Sequence, residues 1–87
     1  LNKMYSLRGN TVVLGRDPGN DIAIDDQEVS RKHFKLTRKG THYSIEDLQS
    51  TNGTMVNGRY VSGSQLLEAG DAIALGESIL LSYEVVP

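Results

Sequence analysis

The sequence has no cysteine and no tryptophan, one phenylalanine, two prolines and two histidines among 87 residues. Without cysteine there is no disulfide framework and no thiolate metal site, and the chain suits a reducing compartment. The two histidines, His33 and His42, stand at no recognisable metal-ligand spacing from each other or from carboxylates. No metal and no cofactor is therefore expected. No apolar run approaches the ~20 residues that cross a bilayer, and no signal peptide is visible, so membrane insertion by this stretch is not expected. Nine Lys and Arg against eleven Asp and Glu give a net charge of −2. That balance rules out steering of the whole molecule toward nucleic acid, and any anion binding must come from a local cluster. A helical stripe is missing too. The nearest candidate, Ser64 to Ala69, is too short to hold a helix by itself.

Short strands are what the sequence does contain. A chain of this length forms one domain and buries roughly 60–65% of the surface its unfolded form exposes. Met4–Leu7 and Thr11–Leu14 flank the turn Arg8-Gly9-Asn10. Asp17-Pro18-Gly19-Asn20 is a strong turn, and Ile22 and Ile24 share one face of the run that follows. Around Lys39-Gly40-Thr41, Phe34 with Leu36 and Tyr43 with Ile45 give each strand one apolar side. Asn57-Gly58 lies between Thr54–Val56 and Arg59–Val61. It predicts a type I′ hairpin turn, because both central residues must take positive φ. Gln65–Leu67, Ala72–Leu75 and Ser78–Val85 complete the series. The expected fold is all-β, an antiparallel β-sandwich of about ten or eleven short strands, with its functional loops gathered at the ends. The start at Leu1 and the end at Pro87 suggest one domain over residues 1–87, excised from a longer protein.

Three loops are polar beyond what a turn requires: Gly15–Asn20, Asp25–Arg31 and Leu48–Gly53. In the first, Gly15 lets the backbone bend, and a guanidinium at Arg16 can grip an oxyanion with a planar fork. In the second, Ser30-Arg31-Lys32-His33 admits three readings. Ser30 and His33, with Asp47, are the parts of a hydrolase, but no Gly-x-Ser-x-Gly elbow or oxyanion hole accompanies them. Arg31, Lys32, Arg38 and Lys39 make only a small basic patch, interrupted by acids and poor in aromatics, which argues against nucleic acid. A phosphate cradle uses the Ser30 hydroxyl and the Arg31 charge, and leaves His33 to tie down a loop. In the third, Ser50-Thr51-Asn52-Gly53-Thr54 exceeds what one turn needs, and an asparagine amide both donates and accepts. That suits holding the main chain of an extended peptide.

In this order the clusters resemble the forkhead-associated (FHA) domain. The match runs from Gly15-Arg16 through Asn20-Asp21-Ile22, Val29-Ser30-Arg31-Lys32-His33 and Asp47-Leu48-Gln49-Ser50-Thr51-Asn52-Gly53-Thr54 to Val56-Asn57-Gly58. It closes with Leu67, Gly70-Asp71 and Ile73-Ala74-Leu75-Gly76. The resemblance implies a β-sandwich that binds phosphothreonine peptides at one end, without catalysis. It implies a peptide-binding set of Arg16, Ser30, Arg31, Thr51 and Asn52, with Lys32 and Ser50 as accessory residues. Gly15, His33 and Gly53 fall at positions that shape the loops. The implied partner is a protein carrying a phosphothreonine, made by a serine/threonine kinase, in a cytoplasmic setting. A phosphate-independent interaction domain on the same fold is the alternative. The acidic residues Asp25, Asp26 and Glu28 suggest a preference for a basic residue in the peptide.

Overall fold

The computed structural model describes residues 3–86. Leu1 and Pro87, on which the expectation of an excised domain rests, lie outside that range. Nine strands form among the described residues and no helix: β1 (Thr11–Gly15), β2 (Ile22–Ala23), β3 (Phe34–Lys39), β4 (His42–Asp47), β5 (Thr54–Val56), β6 (Arg59–Tyr60), β7 (Ser64–Leu66), β8 (Ala72–Leu75) and β9 (Ile79–Ser82). They make two sheets, ordered β2-β1-β3-β4-β7 and β6-β5-β8-β9.

Alternating burial explains why the two sheets stack. Val12 and Leu14 on β1, Phe34 and Leu36 on β3, and Tyr43 and Ile45 on β4 point inward from the first sheet. Val56 on β5 and Ile73 and Leu75 on β8 meet them from the second. Each such side chain, fully buried, contributes about 1.5–3 kcal/mol. The Tyr83 hydroxyl accepts the Tyr43 amide at 3.0 Å, which satisfies a buried donor between the layers. At the Asn57-Gly58 turn φ is 52° and 84°, the positive pair that the type I′ geometry requires.

Three expectations are corrected. Met4–Leu7 forms no strand and makes no hairpin with Thr11–Leu14. Both edges of β1 are taken, by β2 and β3, and the Asp21 carboxylate accepts the next free amide, Val13, at 2.8 Å. Only Leu7 of the expected strand packs on the core, while Met4 is exposed. β2 runs parallel to β1, not antiparallel, pairing Leu14 with Ile22 and Gly15 with Ala23. That pairing places Ile22 in the core and is short enough for the turn at 17–20 to close it. The last strand stops at Ser82, short of Val85.

The registers set the geometry of one end. Leu14 pairs with Phe34, Phe34 with Asp47, Thr54 with Leu75, and Leu75 with Ile79. Segments 16–21, 24–33, 48–53 and 76–78 are therefore all displayed at the same end of the sandwich.

Candidate functional site

Arg16 leaves β1 with its backbone held and its side chain exposed. Its amide donates to the Ser30 carbonyl at 2.9 Å. Gly15 permits this crossing. A Cβ there would overlap the Arg31 carbonyl oxygen and lie 2.7 Å from the Asn20 amide nitrogen. The turn expected at 17–20 closes through the Asn20 amide and the Asp17 carbonyl at 3.1 Å. From that turn the Asn20 side chain donates to the Arg31 carbonyl at 2.6 Å and accepts from Lys32 Nζ at 3.0 Å. Two loops distant in sequence thus become one surface carrying Arg16, Arg31 and Lys32.

His33 builds the floor. It is fully buried, and both ring nitrogens are used. Nδ1 accepts the Ser30 amide at 3.0 Å, so the ring proton sits on Nε2, which donates to the Gly53 carbonyl at 2.8 Å. The second bond joins the two sheets, because Gly53 immediately precedes β5. Gly53 has φ of 79°, and the Tyr60 ring covers it so closely that a Cβ would lie 2.7 Å from Tyr60 Cε1. With both nitrogens committed, the His33 ring takes no proton from the Ser30 hydroxyl. The arrangement is not a nucleophile beside its base.

The Ser30 hydroxyl has a different neighbour. Its oxygen accepts the Thr51 amide at 2.9 Å, which leaves the O–H proton free to donate outward. Asn52 Nδ2 donates to the Glu28 carbonyl at 2.9 Å, which fixes the amide plane and leaves Oδ1 and the second N–H for another molecule. Thr51 and Asn52 are exposed beside Arg16 and Arg31, which are exposed too. Among the described residues the only ion pair is Lys35–Glu46, so neither arginine is neutralised by a carboxylate. Arg16, whose amide bonds the Ser30 carbonyl, and Arg31, next to Ser30 in the chain, carry exposed guanidiniums that can receive a tetrahedral oxyanion together with that hydroxyl.

Ser50 turns the other way. Its hydroxyl donates to Asp47 Oδ1 at 2.6 Å, its amide reaches Oδ2 at 3.0 Å, and the Thr54 hydroxyl reaches Oδ1 at 2.7 Å. The carboxylate of Asp47 thereby organises the 48–53 loop. Burial pushes the Asp47 carboxyl up, but the bonds from the Ser50 and Thr54 hydroxyls and the Ser50 amide outweigh it and hold the group below its ordinary 3.8. A depressed folded value means that this carboxylate stabilises fully above its ordinary value and loses that contribution as pH falls through the folded one. Thermal melting of the wild type should decline progressively as the pH drops below about 3.8. Asp47→Asn should melt lower at neutral pH and lack that part of the acid response. Identical acid profiles for the two proteins would contradict the assignment.

The residue pattern does not reveal Asn20, Glu28, Asp47 and Tyr60 as builders of this end. Asn20 and Glu28 read as turn and acidic-loop residues, and the rest of their role depends on contacts far along the chain. Of the acidic trio, only Asp25 keeps its carboxylate free of hydrogen bonds among the described residues. Asp26 Oδ1 accepts the Glu28 amide at 2.8 Å, and Glu28 is held by the turn after β8.

The model of the family described as FHA domain matches residues 12–76. An oxoglutarate dehydrogenase inhibitor from Corynebacterium jeikeium is 41% identical over 73 residues, covering 84% of this chain and 50% of the inhibitor. The chain thus spans about half the length of that relative. A solved structure from work on phosphothreonine-dependent FHA domain interactions superposes with a TM-score of 0.84 at 35% identity, covering 95% of this chain and 84% of that one. Mycobacterium tuberculosis EmbR, solved in complex with a low-affinity phosphopeptide, gives a TM-score of 0.84 at 32% identity, covering 91% of this chain and 21% of EmbR.

Proposed function

The chain belongs to the FHA domain family, and on that premise we propose that it recognises phosphothreonine in an extended peptide, as a non-catalytic module of a longer protein. The observation that carries this is the state of Ser30. Its oxygen is occupied by the Thr51 amide while its proton is free, beside two arginines that no carboxylate neutralises. A phosphothreonine brings about −1.5 to −2 charges and three strong acceptors. Arg16, Ser30 and Arg31 supply donors to the phosphate, with Thr51 beside them and Lys32 as a further charge. Asn52 bonds the peptide main chain. EmbR in its phosphopeptide complex and the phosphothreonine-dependent FHA interactions of the other neighbour support this assignment by analogy.

Upstream of the module stands a serine/threonine kinase that makes the ligand, and the setting is cytoplasmic. No helix among the described residues is long and apolar enough to cross a membrane. Selection of threonine over serine rests on one methyl group, worth ~0.8 kcal/mol by transfer and roughly 1–3 kcal/mol in a fitted slot. Calorimetric titration with matched phosphorylated and unphosphorylated threonine peptides tests the reading. Binding is expected only with the phosphorylated member of each pair. Equal affinities would overturn it.

A further inference from the structure

Glu28 touches the site from behind through two different parts of itself. Its carbonyl accepts Asn52 Nδ2, the amide that positions the peptide-facing side chain. Its carboxylate reaches the other way, to the turn between β8 and β9. One oxygen, Oε1, accepts the Glu77 amide at 2.7 Å, the Ser78 amide at 2.8 Å and the Ser78 hydroxyl at 2.8 Å. The turn is shaped for this contact. Gly76 has φ of 67°, and a Cβ there would lie 2.5 Å from Glu28 Oε1. Hydrogen bonds from the Ser78 amide and hydroxyl hold the Glu28 carboxyl below its ordinary 4.5, against a smaller opposing effect of burial.

We propose that the Glu28–Ser78 contact is a latch that positions the peptide-binding loops, and that Ser78 is a phosphorylation site whose modification opens it. This rests on the phosphothreonine reading only for its effect on affinity. Ser78 is exposed on a turn, within reach of another enzyme. A serine/threonine kinase using ATP forms a bond from Ser78 Oγ to the γ-phosphorus. The bond from that phosphorus to the β–γ bridging oxygen breaks, ADP leaves, and the hydroxyl proton passes to the base of the kinase. The hydroxyl thereby loses the proton it gives to Glu28, and a group of about −1.5 to −2 charges arrives beside a carboxylate. Repulsion then withdraws Glu28 from the turn. Its backbone carbonyl, which holds Asn52, loses one of two tethers and keeps only the bond from the Glu28 amide to Asp26 Oδ1. Glu28 is a positioning residue here, acting on the ligand through Asn52.

Four proteins test the latch: the wild-type chain and Glu28→Gln, each with serine or with genetically encoded phosphoserine at position 78. Amide hydrogen exchange without ligand reads the loops directly. Phosphoserine in the wild-type background is expected to speed exchange of the Ser30 and Thr51 amides, which are held by His33 Nδ1 and the Ser30 hydroxyl, and to weaken phosphothreonine-peptide binding by at least about tenfold. Both effects should shrink in Glu28→Gln, where no like charge faces the phosphate. Unchanged exchange, or a penalty as large in Glu28→Gln as in the wild type, would overturn the latch. If the unmodified chain binds no phosphothreonine peptide, the proposed function falls, while the exchange data still decide the latch. Incubation with purified serine/threonine kinases and ATP, followed by peptide mapping, tests the site. Label at Ser78 is expected, and label confined to other residues would remove Ser78 as the acceptor.

Discussion

Arg16→Ala should weaken phosphothreonine-peptide binding by at least about 2 kcal/mol, a roughly thirtyfold rise in Kd, with little change in the melting temperature. The two halves of this expectation come from different parts of the residue. The backbone of Arg16 is structural, because its amide holds the Ser30 carbonyl at 2.9 Å, and alanine keeps that bond. The side chain is exposed and meets no carboxylate among the described residues, so removing it disturbs no packing. What is lost is a charge-assisted hydrogen bond to the phosphate, which is left underpaired. Arg16→Lys should recover only part of the affinity, since an ammonium keeps the charge without the planar fork. Titration with one phosphopeptide across the three proteins, beside their thermal melts, checks this. Unaltered affinity in Arg16→Ala would remove Arg16 from the phosphate site, and phosphate-independent binding that survives the substitution would favour an interaction surface elsewhere on the sandwich.

Much of the fold was legible in the sequence, for reasons that can be traced to single residues. Asn57-Gly58 announces its turn because few pairs tolerate positive φ twice. Phe34 with Leu36 and Tyr43 with Ile45 show their inward face by alternation. What alternation cannot supply is the partner of each edge. Met4–Leu7 looks like a strand, and it fails to pair with β1 because Ile22, Ala23 and the Asp21 carboxylate reach that edge first. The parallel β1–β2 pair is invisible for the same reason, since two bridged residues leave no periodic trace. Glu28 and Asp47 are harder still. Their carboxylates serve backbone and hydroxyl donors up to fifty positions away, and a charged residue in a loop reads as solvated until those donors are placed.

His33 is where the distinction between chemistry and architecture can be measured. His33→Ala is expected to destabilise the fold by about 3–5 kcal/mol, comparable to truncating a large buried side chain. The ring is fully buried, so its removal leaves a cavity beneath the loops. It also strands two polar groups, the Ser30 amide and the Gly53 carbonyl, that the ring satisfies at 3.0 and 2.8 Å. A domain of this size has total stability on the order of 4–13 kcal/mol, so the variant is expected to be marginal and to melt tens of degrees lower. His33→Phe separates the causes. It restores most of the volume and neither hydrogen bond, so it should remain destabilised by about 2 kcal/mol or more. Phosphopeptide binding should fall in both variants, because the Ser30 amide and Gly53 are the two points where the loops of separate sheets are joined. A melting temperature unchanged by either substitution would sink this role. It would reopen the reading of His33 as a reactive base, since such a base can be removed without loosening the sandwich.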